Sequence, residues 1–190
     1  MSKKILSSLL FSAITFISFA QLPSFLWKVE NGKLINPTTY QFDVYMYNTS
    51  ESEFELRGGT IALNVNPAWK NGGTIELSTP TSELTPAQQK GNAMYNVSAT
   101  DYLRKIINSV SKGAGTSIAA HGKVKCFTIL LTNTVAFSTK AKPKFVWKFD
   151  NSPGAGFNCS GGINGSAITV VAMRGSEEVI ANQKYCMVIP

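Results

Sequence analysis

Few side chains in this 190-residue chain have the means to do chemistry, and their spacing limits what that chemistry would be. One histidine, His121, stands in Ala119-Ala120-His121-Gly122. Any Ser-His-Asp or Cys-His nucleophilic device would have to use it, yet no GxSxG elbow is present, and its small-residue surroundings predict a surface or turn position. Glu51, Glu53 and Glu55 alternate with Ser52, Phe54 and Leu56. On a strand this spacing sets neighbouring carboxylates about 7 Å apart on one side, which suits a cation or an acid–base pair. Nothing nearby adds a fourth ligand, so the same pattern also reads as a solvated strand edge that discourages aggregation. One histidine and three dispersed cysteines do not make a conventional zinc site without carboxylates. Neither a Walker A loop nor GxGxxG occurs, and no helix follows Gly154-Ala155-Gly156. The expectation is therefore no catalytic residue, no metal and no cofactor.

Aromatic residues supply the remaining candidates. Trp69 lies in the loop composition Asn66-Pro67-Ala68-Trp69-Lys70-Asn71-Gly72-Gly73, and Tyr45 and Tyr47 fall on the more polar side of an alternating run. If all three were exposed on a shared face they would form a platform for sugar rings, so they are the candidate ligand-binding residues. Further on, Lys140, Lys142, Lys144 and Lys148 alternate with Ala141, Pro143, Phe145, Trp147 and Phe149. The lysines could meet phosphate or an acidic polysaccharide while the aromatics stack on sugars. The structural reading is a lysine-guarded edge whose aromatic side is core.

Composition sets the frame for these candidates. Hydrophobic residues make up 44% of the chain and charged residues 15%, with mean hydropathy near zero, which is globular rather than disordered or membrane-embedded. Lys3 and Lys4 precede the apolar run Ile5 to Phe19, and Ser18-Phe19-Ala20 fits a signal-peptidase site. The run falls short of the roughly 20 residues of a membrane span. Residues 1–20 are thus expected to be a signal peptide and residues 21–190 one β-sandwich domain. Position 21 is Gln, so no acylatable cysteine follows the cleavage site, and no membrane insertion is expected after it. The expected setting is secreted, extracellular or cell-surface, with the periplasm as an alternative.

Beyond the leader, 16 basic side chains face 11 acidic ones, a mild excess in which only the short Lys140–Lys148 stretch comes close to a basic element with interleaved aromatics, so no nucleic-acid partner is expected. Of the three cysteines, Cys126 sits in the most apolar run and reads as a buried free thiol. Cys159 and Cys186 lie in loop-like or terminal sequence, and export permits a disulfide between them.

The elements that must position these residues are short and mostly alternating. Lys123 to Thr134 is the exception, a long central strand whose apolar residues start on one face (Val124, Cys126) and continue on the other (Phe127, Ile129, Leu131). A β-bulge at the phase change accounts for this. Phe25 to Glu30 alternates, and Asn31-Gly32 reads as a two-residue hairpin turn into Lys33-Leu34-Ile35. Tyr40 to Asn48, Ile61 to Val65, Ile75 to Leu77 and Ala167 to Met173 read as further strands, with a turn of helix at Pro86 to Lys90. Tyr102 to Val110 is ambiguous: Leu103, Ile106, Ile107 and Val110 match helical spacing, while the surrounding strands favour pairing. The fold class expected is all-β, an antiparallel β-sandwich of immunoglobulin-like or jelly-roll-like kind with at most one short helix.

Two stretches carry a family resemblance. The first is YQFDVYMYNTS at residues 40–50, continuing through FELRGG at 54–59 and IALNVN at 61–66. The second runs from Gly122 through Phe137 to FVWKF at 145–149. Over about residues 39 to 150 the chain resembles the cohesin-like or carbohydrate-binding-module-like β-sandwich domain of secreted Bacteroidetes-type proteins. That resemblance implies a sandwich fold, an extracellular setting and a type IX secretion context, and assigns no catalytic or ligand residues. The functional expectation is a non-catalytic module that holds a protein or a polysaccharide at the cell surface, or serves a structural role there, with a carbohydrate-binding module as the alternative.

Overall fold

The structure is a computed structural model that describes residues 25–97, 101–147, 167–174 and 177–181, the last two segments as backbone. Two antiparallel sheets face each other. The first contains β1 (Phe25–Asn36), β2 (Thr39–Asn48), β8 (Lys123–Asn133) and β4 (Ile75–Thr81), in the order β1-β2-β8-β4. The second is built around β3 (Phe54–Asn64) and β6 (Tyr102–Ile107), with β5 (Ala93–Asn96) outside β6. On it also lie β7 (Thr116–Ile118), β9 (Val146–Trp147), β10 (Ala167–Arg174) and β11 (Glu177–Ala181). Two single turns complete the described residues, a 3-10 turn at Pro67–Lys70 and α1 at Pro86–Gln89. This is the expected all-β sandwich.

Its core is the space between the sheets. Phe25, Trp27, Phe42, Val44, Met46, Ile129 and Leu131 from the first sheet meet Phe54, Leu56, Ile61, Leu63, Leu103 and Ile107 from the second, all buried. β8 shows how one strand reaches that core along its whole length. Val44 pairs with Phe127 but Tyr45 pairs with Lys125, so Cys126 is the extra residue of a bulge. The bulge returns Val124 and Cys126 to the side occupied by Phe127, Ile129 and Leu131, and all five are buried.

A second bulge corrects the expected Asn31-Gly32 turn. β1 runs on to Asn36, and the chain reverses at residues 37–38 instead. Glu30 pairs with Asp43 and Lys33 with Gln41, leaving Asn31 and Gly32 both opposite Phe42. Asn31 takes the left-handed conformation (φ 57°) and its side-chain amide donates to the Asp43 carboxylate at 2.8 Å, which holds the bulge. Gly32 lets the Tyr40 hydroxyl pack against the backbone, since a Cβ there would displace it.

Of the ambiguous Tyr102–Val110 segment, Tyr102–Ile107 is strand. Leu103 pairs with Leu63 on one side and Tyr95 on the other, so ladder bonds on both edges override the helical spacing of its apolar residues. The register turns Lys105 inward with Leu103 and Ile107. Its ammonium sits 4.7 Å from the Phe127 ring centroid and donates to the Gln89 and Gly91 carbonyls at 2.9 and 2.5 Å. Burial pushes its pKa down.

Of the Lys140–Phe149 stretch, residues 140–145 are irregular and Val146 and Trp147 form a short strand, and its described aromatics, Phe145 and Trp147, are core as the structural reading expects. Phe145 lies 4.6 Å from Phe42 and Trp147 lies 5.9 Å from Trp27, centroid to centroid. Phe149, the leader 1–20, Cys159 and Cys186 lie outside the described residues. Cys126 is a buried free thiol whose pKa is raised by burial. Replacing Trp147 by Ala should cost about 3–5 kcal/mol in a denaturant melt, the range for deleting a large buried aromatic. A melt that overlays the parent would remove Trp147 from the core.

Candidate functional site

The pleat of β2 divides its aromatics between two surfaces. Tyr40, Phe42, Val44 and Met46 face the core side, and Asp43, Tyr45 and Tyr47 face outward. Opposite the outward residues, β1 contributes Lys28 to Tyr45 and Glu30 to Asp43, and β8 contributes Lys123 to Tyr47 and Lys125 to Tyr45. The first sheet therefore presents a pair of tyrosines ringed by three lysines and one glutamate.

Within that face the tyrosine rings stand 6.3 Å apart, inclined at 56°. The Lys28 ammonium lies 4.4 Å from the Tyr47 centroid, and Lys123 lies 4.5 Å from Tyr45 and 5.2 Å from Tyr47. The Tyr47 hydroxyl donates to Glu30 at 2.6 Å and accepts from Lys123 at 3.2 Å, and Lys123 reaches Glu30 at 3.7 Å. Partial burial raises the Tyr47 pKa first, and the bond to Glu30 raises it further against the opposing effect of Lys123. Lys123 is held above the usual lysine range, chiefly by its bond to Tyr47. Below the tyrosines, Asp43 accepts from Thr128 at 2.6 Å, and Thr81 donates to Thr128 at 2.7 Å. This lower part of the face is a closed polar ladder.

Trp69 does not join the tyrosines, which corrects the expected three-ring platform. It is 3% exposed, stacked on Phe137 at 3.9 Å and 8° and edge-on to Tyr40 at 5.1 Å. The cause is local: Asn66 caps the 3-10 turn by accepting from the Ala68 N–H, and that single turn swings Trp69 under the loop rather than out of it. A loop composition rich in Asn, Pro and Gly gave no sign of this inward turn.

The acidic triplet is dispersed too. β3 begins only at Phe54, so Glu51 and Glu53 are not on a strand. Glu51 meets His121 at 3.0 Å in an exposed pair, His121 occupying a turn as expected. Glu55 instead accepts from the Gly113 and Gly115 N–H groups at 3.1 and 2.6 Å, closing the 111–115 turn. A buried charge pair that the residue pattern did not disclose joins Lys70 to Asp101 at 2.7 Å, with the Tyr95 hydroxyl donating to the same oxygen at 3.1 Å. It ties the 3-10 turn to β5 and β6. Among the described residues, no cluster of three His, Cys, Asp or Glu is placed to hold a metal ion.

No protein-family model matches this chain, and no curated protein is similar to it at a significant level.

The hydrogen bond to Glu30 gives the tyrosine face a signature. Replacing Glu30 by Gln should lower the Tyr47 pKa, since one cause of its elevation is removed while Lys123 remains. An NMR titration of the tyrosine ring carbons reads this directly. An unchanged or higher Tyr47 pKa in Glu30→Gln would show that the contact does not persist in solution.

Proposed function

We propose that this chain is a non-catalytic, secreted or cell-surface β-sandwich module that holds a protein partner on the outward face centred on Tyr45 and Tyr47. The observation that carries the reading is the position of the lysines. Their ammonium groups lie over both tyrosine rings, so the ring faces that a sugar would stack on are already occupied. A protein partner has no such need. Tyrosine offers large contact area at low conformational entropy together with a hydroxyl, and a charged rim suits the edge of an interface. The sandwich fold agrees with the resemblance to cohesin-like modules, and the apparent signal peptide supports the setting.

Carbohydrate binding is the second reading, favoured by the adjacency of Tyr45 and Tyr47 on one face. Burial of Trp69 takes away its third ring, and the 56° inclination leaves the other two far from coplanar.

The double variant Tyr45→Ala/Tyr47→Ala separates these. A photo-crosslinking residue at position 47, expressed in cells that produce the protein, should trap a discrete protein adduct. The same probe at the exposed Lys112 position, off this face, should not. Electrophoresis through neutral and acidic polysaccharide gels should move parent and double variant alike. Retardation of the parent that the double variant loses would establish the carbohydrate reading, and absence of any position-specific adduct would remove the protein one.

A further inference from the structure

On the opposite side of β2 from the tyrosine face, a groove follows the edge of the first sheet. One wall is β1 from Val29 to Leu34, and the other is the segment Lys142 to Phe145. Tyr40 lies between them as the floor, propped by Trp69 and Phe145 at 5.1 and 5.9 Å. The groove has two adjoining parts of about 620 and 440 Å³ that share Gly32, Tyr40, Lys142 and Pro143. Its second wall is pinned from behind, since the Asn66 N–H donates to the Pro143 carbonyl at 2.9 Å and the Asn66 side-chain amide to the Lys142 carbonyl at 3.0 Å.

Three features of this groove point to one kind of occupant. First, β1 pairs with β2 alone among the described residues, and in an antiparallel strand alternate residues aim their N–H and C=O groups away from the partner. Along residues 29–34 the wall therefore offers backbone donors and acceptors that no other described strand pairs with. Second, the Asn31-Gly32 bulge pairs Leu34 with Tyr40, on the groove side of the pleat, yet Leu34 and Ile35 remain 55% and 50% exposed. Third, Lys142 and Lys144 stand exposed on the second wall, and neither has a carboxylate partner among the described residues. The lone rim carboxylate, Glu30, is already bonded to Tyr47.

We infer that this groove binds an acidic partner peptide in extended form, added as a strand to the free edge of β1, with alternate apolar side chains on the Leu34–Tyr40 floor and carboxylates toward Lys142 and Lys144. A second copy of this chain fits poorly, because it would bring the same lysines against each other. An acidic glycan would use the lysines but leave the backbone edge and Leu34 unused. The inference stands apart from the Tyr45–Tyr47 face, which the sheet separates from it.

The test uses a fluorescein-labelled peptide alternating valine and glutamate, about ten residues long, enough to line the strand at about 3.3 Å per residue. Anisotropy should show binding that weakens with added salt, and hydrogen exchange should slow at residues 29–36. Lys142→Glu/Lys144→Glu should bind about tenfold more weakly while melting like the parent, since both side chains are exposed. A peptide N-methylated at alternate residues, unable to donate to the edge, should not bind. The inference falls if the N-methylated peptide binds equally well, if charge reversal has no effect, or if the peptide does not bind. It falls equally if polygalacturonate protects residues 29–36 where the peptide does not, or if the protein alone forms a dimer protected there. None of these outcomes bears on the Tyr45–Tyr47 double variant.

Discussion

Successive side chains of a strand point to opposite faces, and a sandwich buries only one face of each sheet, so the phase of that alternation decides what every residue does. Three long strands of this protein would lose phase without help. In β1 the bulge at Asn31-Gly32, in β8 the bulge at Cys126, and in β3 an extra residue at Arg57 each reset the count. In β3 the reset lets Phe54 and Leu56 before it and Ile61 and Leu63 after it all reach the core. The same resets determine the surface. They keep Lys123 and Lys125 beside the outward tyrosines and turn Leu34 to the side of Tyr40.

Buried ionisable groups in this molecule are held by the fold itself. Asp101 is bonded to Lys70 and Tyr95, Asp43 to Asn31 and Thr128, and Lys105 to two carbonyls and a ring face. These contacts offset the cost of taking a charge from water, and the Lys70–Asp101 and Thr128–Asp43 bonds also join segments far apart in the chain. Glu55, which by spacing alone could have served a cation, closes a turn.

Much of this was legible in the residues. The phase change within Val124 to Leu131 disclosed the β8 bulge, and the alternation of Tyr40 to Asn48 disclosed both faces of β2. Asn31-Gly32 was misleading because a bulge and a two-residue turn draw on the same left-handed preference, and only the pairing partner distinguishes them. Tyr102 to Ile107 was ambiguous because local spacing is helical while two neighbouring strands supply the ladder. Trp69 escaped because its orientation follows from one capping bond by Asn66, and the lysines over Tyr45 and Tyr47 come from β1 and β8, some twenty residues before them and eighty after. Contacts of that range are set by register, which no short window contains.

The dependence of core and surface on strand phase can be tested around Cys126, where the loss of a side chain and a change of phase are separable. Cys126→Ala keeps the bulge and should cost about 1 kcal/mol, the loss of one buried heavy atom. Exchanging the two residues before Cys126 (Val124→Lys/Lys125→Val) keeps the composition and the bulge but inverts the phase, turning a lysine toward the core, where unpaired charge is costly, and the valine toward solvent. Denaturant melts of the two variants side by side are the measurement. The account predicts that the exchange variant is destabilised by several kcal/mol more than Cys126→Ala, or fails to fold, whereas two coincident melts would show that strand phase is not what holds the sandwich together.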